Sequence, residues 1–221
     1  MLPEELAPLT PVNFFQIQVD CHYLDGGKAD RVFPCLDKRN SYRYLLPDTS
    51  GLCSEEAFAA VALGWHEDGV ECFVNVDAPV KQVRYPDVEL GDSVELFIDT
   101  RDVKTSGFNT RFCHHFFFLP EAVEGHHAGE KTHFRTEDTH PLCDSSELKL
   151  KSLVHKQGYF LNIFIPTHCF YGYDPVQFNR LGFTYRINRA AGFPQHFSVV
   201  TDDFAIDQQP SLWASLKLVH Q

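Results

Sequence analysis

The sequence predicts an all-β fold: a single antiparallel β-sandwich, jelly-roll-like, with about ten strands. Three observations carry this expectation. Aromatic residues make up 14% of the chain, with 20 phenylalanines against one methionine, a composition that suits pleated, half-buried surfaces. Apolar positions alternate with polar ones more often than they recur at helical spacing. Gly, Pro and Asp punctuate these runs at short intervals, as the turns between short strands require.

Taken in order, the first strand is expected at "FFQIQV" (14–19). "AFAAVALGWHEDGVECFVNVD" reads as strands 57–65 and 70–77 joined by "HEDG", whose Asp-Gly suits a tight hairpin. "SVELFID" (93–99) places Val94, Leu96 and Ile98 on one face and Glu95, Phe97 and Asp99 on the other. The stretch 111–119, which includes "RFCHHFFF", is the next strand. "ELKLKSLVHKQGYFLNIFIP" repeats the hairpin logic, with "HKQG" as its turn and Pro166 at its end. Strands at 181–188, 196–200 and 212–219 complete the set. The segment 120–146 is polar and histidine-rich and is expected as a long surface loop. The 221 residues fit one domain, with 1–56 packing as a first strand plus loops.

Charge and cysteine usage narrow the partners. A net charge of −11 repels phosphate backbones and anionic lipid surfaces, so neither nucleic acid nor a membrane is expected. The seven cysteines are odd in number, show no CxxC spacing and lie in a chain large enough to fold without staples, so they are expected to stay reduced. The opening "MLPEELAPLTPVNFF" lacks the basic start and apolar stretch of a secretory signal, and a cytoplasmic location is the expectation.

Strand geometry separates the adjacent histidines of "RFCHHFFF" onto opposite faces, so His114 and His115 cannot chelate one ion together. Phe112, His114, Phe116 and Phe118 are assigned to the core; Arg111, Cys113, His115 and Phe117 to the other face. If 93–99 is the neighbouring strand, Glu95, Asp99, Arg111 and His115 converge on an exposed face beside Phe97 or Trp65. Planar polar groups next to an aromatic ring are what recognises sugar hydroxyls and the apolar face of a pyranose; a solubilising ion-pair lattice is the alternative. In the loop, His126, His127, His133 and His140 lie among Glu121, Glu124, Glu130, Glu137 and Asp138, a supply of ligands suited to zinc or another divalent ion, though without HExxH or HxH spacing. "DTRDVKTSGFN" could hold a structural calcium through Asp99 and Asp102 but lacks the ligand ladder of a calcium loop. There is no GxSxG elbow and no Gly-rich phosphate loop. Glu95 and Asp99 sit about 13 Å apart along one strand at ~3.3 Å per residue, unlike paired glycosidase carboxylates on opposing elements. No catalytic signature results, and no cofactor is expected.

The order "VECFVNVD", "GDSVELFIDTRD", "GYFLNIFIP", "LGFTYRIN" and "PSLWASLKL" resembles the family-nine carbohydrate-binding modules and the related DOMON-type sandwiches over about residues 57 to 219. The most specific elements are Asp92, Glu95 and Asp99, the apolar strand ending at Pro166, and the late Trp213. The resemblance implies a β-sandwich that binds sugar chain ends or another small polar ligand without catalysis. Two other functions stay open: a metal-binding protein or metal-dependent enzyme built on the histidine-rich loop, and a haem-binding DOMON-type domain. For the latter only bis-histidine ligation is available, since Met1 is the one methionine.

Overall fold

Alternating sequence becomes paired strands in the computed structural model, which describes residues 16–24, 33–199 and 204–220. Among these, eleven strands form: β1 (Gln18–Tyr23), β2 (Ala59–His66), β3 (Gly69–Val76), β4 (Ser93–Asp99), β5 (Cys113–Val123), β6 (His126–Glu130), β7 (Lys149–His155), β8 (Gly158–Pro166), β9 (Arg180–Asn188), β10 (Gln195–His196) and β11 (Ala214–Val219). Helix is limited to α1 (Ser50–Cys53) and a few 3-10 turns. Residues 14, 15 and 200, expected at strand ends, lie outside the described residues.

The strands run in the order β6-β5-β4-β9-β11-β1-β2-β3-β8-β7, with β10 beside β9. This nearly closed sheet folds into two layers. Leu96, Ile98, Phe116, Phe118, Phe183 and Leu216 from one half meet Val61, Leu63, Val74, Leu161 and Ile163 from the other in one core. Each such side chain contributes about 1.5–3 kcal/mol on burial. All pairings are antiparallel except those of β1, which lies parallel to both β11 and β2.

Two expectations need correction. The first part of the expected loop 120–146 is a hairpin: β5 continues to Val123, Glu124 (φ 53) and Gly125 (φ 85) turn the chain, and β6 pairs back with Phe116↔Glu130 in register. Two consecutive residues at positive φ make the tight turn that matches strand twist, and a Glu in the first place conceals it. Cys143 and Cys169 form a disulfide, with Cα atoms 4.9 Å apart, while the other five cysteines are free. An odd count does not reveal that the β6–β7 connector and the turn after β8 bring these two together.

Candidate functional site

The face expected to be open to ligand is covered. Glu95, Phe97, Asp99 and His115 are all buried, because loops pack over the outer side of β4 and β5. Phe97 and Cys113 sit under Val199, Ile206 and Trp213, and Phe117 and Leu119 under Val88. Trp65 is buried in the main core, edge-on to Tyr23. Arg111 precedes β5 and forms an ion pair with Asp138 rather than joining Glu95. The expected convergence survives only for Glu95 and His115.

Those two residues anchor a buried polar network. His115 Nε2 donates to Glu95 Oε1 (2.8 Å); Glu95 Oε2 accepts from Arg186 Nε (2.7 Å) and Asn188 Nδ2 (2.7 Å). Cross-strand register brings them together, since Phe97 faces His115 and Glu95 faces Arg186 on adjoining strands. Burial opposes ionisation of Glu95, but the His115 hydrogen bond together with the charge and hydrogen bond of Arg186 outweigh it and hold the carboxyl well below its usual range. Burial lowers the His115 pKa against the pull of Glu95. At neutral pH the arrangement is therefore a carboxylate held by a neutral imidazole and a permanently charged guanidinium.

His114 is a core residue, as expected, and closes a second network. Its Nε2 accepts the Tyr171 N–H (3.1 Å), so Nδ1 carries the hydrogen and donates to Glu130 Oε1 (2.9 Å). Glu130 also accepts from Thr132 Oγ1 (2.6 Å) and the Cys143 N–H (2.7 Å). His140 Nε2 is 3.4 Å from the same Oε1.

The four loop histidines do not converge as a metal site. His126 is exposed and stacks on Tyr85, His127 points to the opposite side of β6, and His133 is exposed further along. Only His140 meets other ligand-type groups, with donor atoms of His114, Glu130 and His140 all within 4.8 Å. These atoms fit a cation poorly. Two donors already fill the lone pairs of Glu130 Oε1, the oxygen that both histidines face, and metal ligation through His114 Nδ1 would force a hydrogen onto Nε2, against the Tyr171 N–H. The calcium expectation meets a similar obstacle. Asp99 accepts the Arg101 and Val103 N–H groups, and Asp102 pairs with Lys104. Burial pushes the Cys21, Cys53 and Cys113 thiols up to about 12, so none of them offers a thiolate nucleophile at neutral pH.

A cleft that the sequence reading missed lies on the outer face of the other layer. It has a volume of about 180 Å³ and is lined by Lys38, Tyr42, Leu45, Phe73, Asn75 and Phe160 among others. Register puts Asn75 opposite Phe160 and Ala60, so the small alanine leaves room beside the ring. Phe73 and Phe160 stack with centroids 5.9 Å apart, Lys38 Nζ lies 4.5 Å above Phe160, and Tyr42 is 63% exposed. Asn75 Oδ1 is buried and accepts no hydrogen bond among the described residues. A larger cavity of about 280 Å³ adjoins the disulfide, but its His168 and Glu147 are hydrogen-bonded to each other at 2.9 Å. Rings beside an unmet acceptor make the first cleft the better candidate.

No protein-family model and no curated protein matches the sequence. Among solved structures, a family-nine carbohydrate-binding module from Caldicellulosiruptor kristjanssonii in complex with cellotriose is similar at a TM-score of 0.61 and 16% identity, over 92% of this chain and 94% of that one. A family-nine module from the same organism in complex with glucose gives a TM-score of 0.60 and 16% identity, over 92% and 96%. This chain has the family-nine carbohydrate-binding fold. Within that fold, β2, β3 and β8 carry the cleft, and their outward residues do contain a signal. Phe73, Asn75 and Phe160 occupy positions that alternation assigns to the solvent side, where two phenylalanines flanking a polar amide are unusual.

Proposed function

We propose that the protein is a non-catalytic carbohydrate-binding module whose ligand occupies the cleft over Phe160. The observation that carries this reading is the aromatic wall of Phe73, Phe160 and Tyr42 beside Asn75 Oδ1 and the Lys38 ammonium. The rings suit the apolar C–H face of a pyranose, and the amide and ammonium suit its hydroxyls. The cellotriose and glucose complexes of the two structural neighbours support a sugar as the ligand class. Binding without catalysis is supported by the internal engagement of Glu95 and Asp99, each buried and held by donors of the protein itself.

Isothermal titration of the full chain with glucose and cello-oligosaccharides tests the proposal. Tyr42→Ala, at an exposed ring, is expected to weaken a bound sugar by about tenfold, equal to ~1.4 kcal/mol, and to leave the unfolding midpoint in place. Affinity that Tyr42→Ala does not change would move the ligand away from this cleft.

A further inference from the structure

We infer that the sugar recognised at this cleft is acidic, carrying a carboxylate or sulfate, an inference that rests on the carbohydrate reading above. The starting point is a contrast of charge. The chain carries −11 overall, yet the outer face of β2, β3, β8 and β7 gathers cations over its rings. Lys38 Nζ lies 4.5 Å above Phe160, Lys149 Nζ 5.3 Å above Phe164, and Lys151 Nζ 5.3 Å above Phe33. Register makes this one surface, since Lys149 is opposite Phe164 and Lys151 opposite Asn162 on the same side as Phe160.

None of the three lysines forms an ion pair with a described carboxylate, whereas Lys104 and Lys131 elsewhere do. The acids near the cleft are occupied internally. Asp37 is paired with Arg39 at 2.7 Å, and Glu71 Oε2 accepts the Cys35 and Leu36 N–H groups at 2.8 and 2.9 Å. Lys151 Nζ also donates to the Phe33 carbonyl at 2.9 Å, whereas the Lys38 ammonium at the cleft has no counter-charge among the described residues.

A second unpartnered donor lies beside the same ring. His155 packs against Phe160 with centroids 5.1 Å apart. Its Nδ1 accepts the Gln157 N–H at 3.3 Å, so its Nε2 carries a hydrogen, and that buried Nε2 has no hydrogen-bond partner among the described residues. Of the two donors beside Phe160, the Lys38 ammonium lines the cleft and suits an anionic oxygen, whereas the His155 N–H is buried outside the cleft lining. Asn75 Oδ1 remains for a hydroxyl. A neutral sugar would satisfy the rings and the amide but leave Lys38 without a counter-charge. A pyranose bearing an acid group satisfies both.

The test titrates the full chain with three oligosaccharides of equal length, one neutral, one of uronic acid and one sulfated, at low and at high salt. An acidic probe is expected to bind about tenfold tighter than the neutral one at low salt and to lose that advantage at high salt, as an exposed charge contact should. Uronate or sulfate as the preferred probe identifies the acid group, and either supports the inference. Lys38→Gln is expected to remove most of the difference, weakening the acidic probe several-fold more than the neutral one, and to leave the unfolding midpoint unchanged. Equal, salt-insensitive binding of neutral and acidic probes, still weakened by Tyr42→Ala, would overturn the charge inference and leave the carbohydrate reading standing. An acidic preference that survives Lys38→Gln would also overturn it. Binding of no probe at all would overturn both.

Discussion

His115 Nε2 lies 2.8 Å from Glu95 Oε1, with both side chains sealed beneath the loops that cover β4 and β5. Replacing Glu95 by Gln sets an NH2 against the donors on one of its two oxygens, either His115 or the Arg186 and Asn188 pair, and takes the counter-charge from the Arg186 guanidinium. Glu95→Gln is expected to destabilise the fold by about 3–5 kcal/mol, the range for breaking a buried pair. Denaturant unfolding checks this, and the fraction that stays folded should retain its ligand affinity, because the network lies outside the cleft.

His114→Ala removes a fully buried ring and leaves Glu130 short of a donor. A loss of about 2–4 kcal/mol is expected from the cavity and the unmet carboxylate together. Thermal unfolding of wild type and variant at one pH measures it.

Stability should fall as pH drops from neutrality. Burial lowers the His114 pKa from 6.5, so below 6.5 the unfolded chain takes up a proton that the folded chain refuses, and stability decreases until the native value is reached. Glu130 acts in the same sense at lower pH. Burial opposes its ionisation, but the His114 and Thr132 hydrogen bonds hold it below 4.5, so its contribution is present above 4.5 and lost as pH falls through the native value. Midpoints measured across this range should decline first in the histidine window and then in the carboxylate window; a flat profile would contradict both assignments.

Thiol titration of the unfolded, unreduced protein should find five free cysteines, with the remaining pair released by reductant. The bridge spans 26 residues, for which loop-closure entropy predicts a stabilisation of about 3–4 kcal/mol. Cys143→Ser compared with wild type under oxidising conditions measures that contribution.

Arg111→Ala should leave the unfolding midpoint within error, since its bridge to Asp138 lies at the surface. It should also leave sugar binding intact, in contrast to Tyr42→Ala.

Period-2 alternation and turn residues made most strands and the β2–β3 and β7–β8 hairpins legible, though not the β5–β6 hairpin, and they separated His114 from His115 correctly. Alternation was a poorer guide to burial, because it assumes that one face of each strand meets water. In "SVELFID" the face bearing Glu95 and Asp99 also bears Phe97, and that ring indicated a covering layer, supplied here by Trp213 and Ile206 from distant sequence. Arg111 was placed on β5 by extrapolating the pattern two residues too far, where the chain is still turning. The cleft escaped notice because it is assembled from Lys38 and Tyr42 in a segment without strand signals and Phe160 more than a hundred residues later.

The position of β1 has a consequence for how the molecule is made. Its register with β11 joins Gln18 to Ser215, nearly the whole described chain apart, while its pairing with β2 amounts to His22↔Gly64 and Tyr23↔Trp65. During synthesis, β2, β3, β7 and β8 can assemble as neighbours, but β1 must wait with most of its edge unpaired until residues 214–219 emerge. The seam between the two layers is thus a late event with a high loop-closure cost, and the step that completes the sheet is the one most exposed to competing strand partners.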